Sequence, residues 1–263
     1  MKFALSTLGL PGMPLPEVAH LAARTGYTGV ELRAHPESHI HPHLTPTQRK
    51  AVTAEFKKAR IEILSIAGYA RVADRADNTD LPQLIDLARD LGASYLRVFP
   101  GGADNPHADD TAVHRLAQAA QQPGVGTGGV RILLETHDSH RTGEAIARVL
   151  NRIEGKENKQ NTGALWDVMH TWLGGETPAE SYRHLAPHLG YTQVKDIASA
   201  SDTTPLPLGK GALPLSECLA LLPSDGWVCW EYEKRWYPEA APLPELLQAG
   251  REYLTQLLAG TAK

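Results

Sequence analysis

Short apolar runs alternate with longer amphipathic stretches along the whole chain. Runs of about four to eight residues that are rich in branched and aromatic side chains predict buried strands. The run Val130–Leu134 is the clearest of them, and it ends on a carboxylate, Glu135. The predicted strands are Lys2–Ser6, Gly29–Arg33, Ile61–Ala67, Ser94–Phe99, Val130–Leu134, Thr162–Val168, Tyr191–Lys195 and Gly226–Tyr232.

A helix is predicted after every one of these strands, because apolar positions then recur every three or four residues. The predicted helices are Pro16–Thr25, Thr45–Arg60, Leu81–Leu91, Asp110–Gln121, Thr142–Ile153, Pro178–His188, a helix that ends at about Leu222, and Leu243–Leu258. Strict alternation of strands and helices implies a parallel sheet with right-handed crossovers. Eight such units predict an α/β protein with one domain over residues 1–263, a single (β/α)8 TIM barrel with parallel strands. An open, doubly wound sheet is disfavoured, because no G-x-G-x-x-G turn follows the first strand.

Composition and charge narrow the range of partners. The net charge of −4 and the pI of about 6.3 give no electrostatic footprint for nucleic acid or for an anionic membrane. The two cysteines, Cys218 and Cys229, cannot build a disulfide framework, so we expect a reducing, cytoplasmic location. The apolar run at the N-terminus is too short for a signal peptide or a membrane span. Neither nucleic acid nor a membrane is therefore expected as a partner.

Acidic side chains follow several of the predicted strands, at the end where a TIM barrel carries its active site. Glu135, Asp167 and Glu231 come from the fifth, sixth and eighth strands. Carboxylates that meet in a barrel mouth repel one another unless a cation or protons compensate their charge. Hard oxygen ligands of this kind suit Mg²⁺ or Mn²⁺, and suit Zn²⁺ less well. The sequence therefore predicts a divalent metal site in the mouth.

Four motifs in order along the chain give a more specific resemblance. LLETHDS, WDVMH, QVKD and WEYEKRWYPE resemble the motifs of the xylose isomerase-like TIM-barrel superfamily of sugar-phosphate isomerases and epimerases. The resemblance implies that Glu135, Asp167, Gln193 and Glu231 hold the metal. Gln193 departs from the family pattern, which has histidine there. A glutamine carbonyl can ligate a hard cation, but it is neutral and cannot offer Zn²⁺ an imidazole.

The resemblance also implies a reaction. A metal that bridges a carbonyl and a neighbouring hydroxyl stabilises the enediolate formed when the α-proton leaves. Glu135 and Glu231 would act as base and acid on a small sugar, a sugar phosphate or a polyol-derived keto compound. The residues expected to bind this carbohydrate substrate are His137, His170, Lys195, Glu233 and Arg97. Barrels of this family often pair, so a homodimer is also considered.

Several alternatives stay open at this point. The same metal and base could serve an inosose-type dehydratase, and Gln193 could instead mark an impaired barrel that only binds a ligand. An endonuclease would need more histidines and a basic face. Glu31 and Arg33 could form a buried ion pair, and Gly209-Lys210-Gly211 could wrap a phosphate. A further group of histidines is interpreted as a solvated loop rather than a second metal site: His35, His39, His41 and His43.

Overall fold

Eight parallel strands close on one another into a barrel in the computed structural model, which describes residues 1–76 and 80–261. The strands of the chain are β1 Lys2–Ser6, β2 Gly29–Arg33, β3 Glu62–Arg71, β4 Tyr95–Phe99, β5 Arg131–Glu135, β6 Thr162–Asp167, β7 Leu189–Val194, β8 Ile197–Ser199, β9 Asp202–Pro205 and β10 Trp227–Trp230. The barrel order is β1-β10-β7-β6-β5-β4-β3-β2, and β8 pairs with β9 in a separate antiparallel hairpin. The predicted (β/α)8 barrel is thus confirmed.

Helices surround the barrel and pack their apolar faces against it. They are α1 Leu15–Arg24, α2 Pro46–Ala59, α3 Leu81–Asp90, α4 Ala108–Ala119, α5 Gly143–Asn151, α6 Lys156–Asn161, α7 Val168–Leu173, α8 Pro178–Leu185, α9 Leu215–Leu221 and α10 Leu243–Thr261. Local sequence explains where several of them begin. Thr45 and Thr177 each form a capping box with the residue three positions on, Gln48 and Glu180. No helix in the described ranges is both long and apolar enough to cross a bilayer.

The structure differs from the predicted elements in four places. The segment between the predicted helix Thr142–Ile153 and the predicted strand Thr162–Val168 contains a short helix, α6, and the segment after the predicted strand Tyr191–Lys195 contains the β8–β9 hairpin. A further helix, α7, follows β6 directly, because the Asp167 carboxylate accepts the backbone N–H groups of Met169 and His170 and so caps it. Strand β3 continues to Arg71, four residues beyond the predicted end at Ala67.

The barrel interior is built in two layers, since side chains alternate between faces along a strand. The lower layer is a buried apolar cluster of Ala4, Leu64, Leu133, Leu165, Tyr191, Trp227 and Cys229, with Tyr95 packed against it. Two residues further along β5, β6 and β7, the inward positions are Glu135, Asp167 and Gln193. The polar residues therefore lie directly above an apolar floor, at the carboxyl ends of the strands.

Candidate active site

Three carboxylates converge at the mouth of the barrel. Glu135 ends β5, Asp167 ends β6 and Glu231 follows β10 directly. All three are buried, and the oxygen atoms that they could offer to a metal ion lie within 4.8 Å of one another. The strand ends thus bring together the three acids that the sequence predicted as ligands.

Lys195 extends into the middle of these acids. Its Nζ lies 2.7 Å from Oδ2 of Asp167 and 2.9 Å from Oε1 of Glu233, and it also contacts Oε2 of Glu231. Burial disfavours the charged ammonium, but the carboxylates of Asp167, Glu231 and Glu233 outweigh it and raise the pKa of Lys195 well above its ordinary value. Lys195 is therefore a permanent cation within the site.

Glu135 is paired with a second buried cation. The Nε atom of Arg97 lies 3.2 Å from its Oε2, and the Arg97 guanidinium stacks 3.9 Å from the centre of the Phe99 ring. Burial raises the pKa of Glu135 well above its ordinary value, although the charge of Arg97 acts in the opposite direction. A carboxyl group with a raised pKa is a stronger base once ionised than a carboxylate in water.

Gln193 lies beside Glu231 and reaches across the barrel to Glu31. Its Nε2 donates to both oxygens of Glu31, at 3.0 and 2.9 Å, and to Oε1 of Glu231 at 3.2 Å. The Oε1 atom of Gln193 is buried and has no hydrogen-bond donor among the described residues. That Gln193 is a metal ligand therefore stays a prediction, but it has an acceptor oxygen free for that purpose.

The alternative of an ion pair between Glu31 and Arg33 is wrong. Glu31 accepts hydrogen bonds from Gln193 and from the Tyr191 hydroxyl, and burial raises its pKa, with the charge of Glu231 adding to the effect. Arg33 instead donates its Nε to the Tyr69 hydroxyl at 2.7 Å. The closed barrel places Glu31 opposite β7, a relationship that spacing along the chain does not reveal.

His137 and His170 lie on one side of the site, with their ring centres 4.1 Å apart. His170 Nε2 is 3.9 Å from Oδ2 of Asp167. Burial lowers the pKa of His170 well below its ordinary value, and the neighbouring His137 and Lys195 add to this effect, so His170 is neutral at pH 7. Both rings could also join Glu135 in holding an ion.

Above these residues opens a cavity of about 510 Å³. Its lining includes Glu135, His137, His170, Glu231, Glu233 and Arg97, which brings together most of the residues predicted to bind substrate. Sequence reasoning missed Tyr69, Arg71 and Arg141, which also line it. Tyr69 and Arg71 lie on the extended end of β3, beyond the apolar run that marked the strand. Arg141 directly follows the segment 130–140, which contains Glu135 and His137, and this position in the sequence could have indicated that it lies near the site.

The glycines after β9 do not wrap a phosphate. The backbone N–H groups of Gly209 and Gly211 both donate to Oδ2 of Asp196 at 2.9 Å. The carboxylate of the chain itself therefore occupies the place that an anion would take. Among the described residues, none of the candidate metal-binding groups includes His35, His39, His41 or His43, and the interpretation of this segment as a solvated loop stays a prediction.

The residues present fit a divalent cation. Among the described residues, the buried Oε1 of Gln193 accepts no hydrogen bond, whereas Oε2 of Glu135 lies 3.2 Å from Nε of Arg97 and Oδ2 of Asp167 lies 2.7 Å from Nζ of Lys195. The acids of the site outnumber its buried cations, Arg97 and Lys195. These acids are Glu31, Glu135, Asp167, Glu231 and Glu233. An excess of carboxyl groups over cations, with oxygen lone pairs that point into one site, is an environment that suits a hard divalent cation.

Comparison with known proteins agrees with this geometry. The profile of the xylose isomerase-like TIM barrel family matches residues 19–257. The chain belongs to this family. A relative with a named activity is the 3-dehydroshikimate dehydratase of Bacillus anthracis, which is 23% identical over 210 residues, covering 76% of this chain and 73% of the relative.

Solved structures of xylose isomerase-like barrels share the fold. D-psicose 3-epimerase from Clostridium cellulolyticum, solved with D-tagatose, superposes with a TM-score of 0.78 at 15% identity, covering 98% of this chain and 99% of the epimerase. The IOLI protein, solved with a zinc atom, superposes with a TM-score of 0.76 at 16% identity, covering 99% and 98%. The relatives with named activities support an enzyme of the isomerase, epimerase or lyase kind.

Proposed function

We propose that the protein is a divalent-metal-dependent isomerase or epimerase that moves a proton next to a carbonyl group of a small sugar, sugar phosphate or polyol-derived keto compound. The convergence of Glu135, Asp167 and Glu231, whose oxygen atoms lie within 4.8 Å of one another beside a cavity lined by Glu135 and Glu231, carries this proposal. The family membership and the epimerase neighbour support it.

Four residues would hold the cation: Glu135, Asp167, Gln193 and Glu231. Their oxygen donors suit Mg²⁺ or Mn²⁺, and the zinc atom in the IOLI structure keeps Zn²⁺ in consideration. When bound, such an ion supplies a Lewis acid that draws electrons from the substrate carbonyl and acidifies the neighbouring C–H bond.

Glu135 is the proposed base. Its raised pKa makes the ionised carboxylate a stronger base than a carboxylate in water, and the ion pair with Arg97 holds it in place. Glu231 is the second acid or base and would return a proton to the substrate carbon. Lys195, a permanent cation beside Glu231, would attract the negative charge that develops on the substrate oxygens.

The remaining residues would bind and orient the substrate. The neutral imidazole of His170 can donate to or accept from a substrate hydroxyl, and His137 is held beside it by a contact of 2.8 Å between its Nδ1 and Oδ1 of Asp138. Glu233 fixes the position of Lys195. Phe99 and Trp236 contribute aromatic surface to the lining of the cavity, against which a substrate could pack.

The test is exchange in D₂O across a panel of ketoses, keto acids and inositol derivatives, with added Mn²⁺. We expect deuterium to enter at a carbon next to the carbonyl without net loss of water, and this exchange should disappear in Glu135→Gln. Metal analysis should find about one ion per chain, lost in Asp167→Asn but retained in the surface control Asp225→Asn. Absence of metal from the wild-type protein at any added concentration, or ligand binding without exchange, would overturn the proposal.

A second candidate is a dehydratase that acts on an acidic keto compound. Arg71, Arg97 and Arg141 all line the cavity, so a substrate with a carboxylate would find complementary charge there. The dehydratase relative supports this candidate, since its named substrate is a carboxylate. In that reaction the base takes the α-proton and the β-hydroxyl leaves as water after protonation by an acid of the site. Net formation of a dehydrated product in the same assay would favour the lyase.

A further inference from the structure

We propose that Glu31 is a positioning residue that fixes the orientation of the Gln193 amide and thereby allows a neutral glutamine to serve as a metal ligand. This inference rests on the metal site of the proposed function. It explains how the site can work with glutamine at the position where the family pattern has histidine.

The orientation of the amide follows from the charges around it. A glutamine side chain ends in an NH₂ group, which only donates hydrogen bonds, and an oxygen, which only accepts them. The NH₂ group of Gln193 faces three carboxylate oxygens at 2.9 to 3.2 Å, two on Glu31 and one on Glu231. Turning the amide over would place its oxygen against the same three oxygens, which repel it. Glu31 supplies two of the three contacts and so decides the orientation.

This orientation determines the surroundings of the amide oxygen of Gln193. With the NH₂ group held by Glu31, the Oε1 atom of Gln193 is left without a donor among the described residues, although it is fully buried. A buried acceptor without a partner costs free energy. Asp167, whose Oδ2 lies 2.7 Å from Nζ of Lys195, is the direct neighbour of Gln193 in the barrel register. A cation at this place would satisfy Oε1 of Gln193 and would share the Asp167 carboxylate with Lys195.

Glu31 is itself held rigidly, as a positioning residue must be. It lies on β2 with no exposed surface, and the hydroxyl of Tyr191 donates to its Oε2. Tyr191 precedes Gln193 by two residues on β7, so its side chain points to the same barrel face. Tyr191, Glu31 and Gln193 therefore form one buried network in which each member fixes the next.

A double-mutant cycle separates this role from simple attraction between Glu31 and the cation. The measurement is Mn²⁺ affinity by isothermal titration calorimetry on the whole chain. Glu31→Gln keeps the size of the side chain but offers the amide both a donor and an acceptor. We expect it to weaken Mn²⁺ binding at least tenfold in the wild-type background, as is typical for residues that orient ligands. In the Gln193→Ala background the same change should alter the affinity less than about twofold.

An equal loss in both backgrounds would overturn the proposal, because Glu31 would then act through its charge alone. Glu62→Gln removes an exposed carboxylate from β3 and serves as the matched control. If Glu31→Gln does not fold, Tyr191→Phe removes the hydroxyl that holds Glu31 and should weaken Mn²⁺ binding by a smaller factor; unchanged affinity there contradicts the network. Failure of the wild-type protein to bind Mn²⁺ would instead overturn the metal site itself, so the two failures are distinguishable.

Discussion

The ammonium nitrogen of Lys195 lies 2.7 Å from Oδ2 of Asp167, an oxygen atom that the proposed metal site would also use. An ammonium group and a divalent cation compete for the same carboxylate, because each lowers the negative potential that attracts the other. The lysine stabilises the acids when no metal is bound and weakens the attraction of a metal to them. The barrel mouth thus carries its own counter-ion.

Replacing Lys195 with methionine should therefore increase the affinity for Mn²⁺. The side chain keeps its approximate length but loses its charge, so we expect binding to strengthen by about tenfold, or ~1.4 kcal/mol. The metal-free protein should at the same time melt at a lower temperature, since Asp167 and Glu231 lose their buried cation. Calorimetric titration and thermal unfolding measure the two effects.

The matched control for this substitution is Lys210→Met, which removes an exposed lysine from the loop after β9. It should leave both the Mn²⁺ affinity and the melting temperature unchanged. Weaker Mn²⁺ binding in Lys195→Met would show that the lysine assists the cation rather than competing with it.

Asp138 should stabilise the protein at neutral pH, and this contribution should be lost in acid. Burial acts to raise its pKa, but the contacts with His137 and with the Gly101 backbone N–H outweigh this and hold the pKa at about 2. The pKa of this carboxyl group is lower in the folded chain than in the unfolded chain, so the group stabilises the folded state at pH values above its ordinary pKa. This contribution is lost as the pH falls toward 2. Because Asp138 is partly exposed, we expect a contribution on the order of 1 kcal/mol.

The measurement is the free energy of unfolding in urea between pH 7 and pH 2, for the wild-type protein and for Asp138→Asn. The difference between the two should be largest near neutral pH and should shrink below about pH 4. A difference that stays constant over this range would contradict the assignment.

Gly250 should not tolerate a larger side chain, although it lies inside helix α10. Alanine normally stabilises a helix relative to glycine by about 1 kcal/mol. A Cβ atom at Gly250, however, would lie 2.2 Å from Cζ3 of Trp230, which is fully buried in the barrel wall. We expect Gly250→Ala to destabilise the fold by about 1–3 kcal/mol in chemical denaturation. Gly260→Ala in the same helix meets no atom within 4 Å and should be neutral or slightly stabilising.

Features that depend on neighbouring residues in the sequence could be predicted, whereas features that depend on contacts between distant strands could not. Glu135 and Asp167 were found because each ends a short apolar strand, and parallel strand ends must meet. The contact between Glu31 and Gln193 could not be found in this way. It joins β2 to β7, which are separated by β1 and β10 in the barrel, and only closure of the sheet brings the two side chains together.

Features that depend on distant contacts were missed for the same reason. The β8–β9 hairpin follows Asp196, whose two oxygens accept backbone N–H groups as far along the chain as Leu213. Strand β3 extends to Arg71 because it pairs with Phe99 after an irregularity in the register. No periodicity in the segment itself indicates either arrangement, whereas the alternation of apolar runs with amphipathic stretches indicated the order of the barrel strands and helices.

The apolar layer beneath the acids affects the order in which the proposed metal ion and the substrate would enter and leave the site. Leu133, Leu165 and Tyr191 are fully buried under the polar layer, so apolar side chains close this side of the site. The proposed metal ion and its substrate would both enter from the open mouth above. A substrate bound over the ion would then block its release, and the ion would exchange only between turnovers.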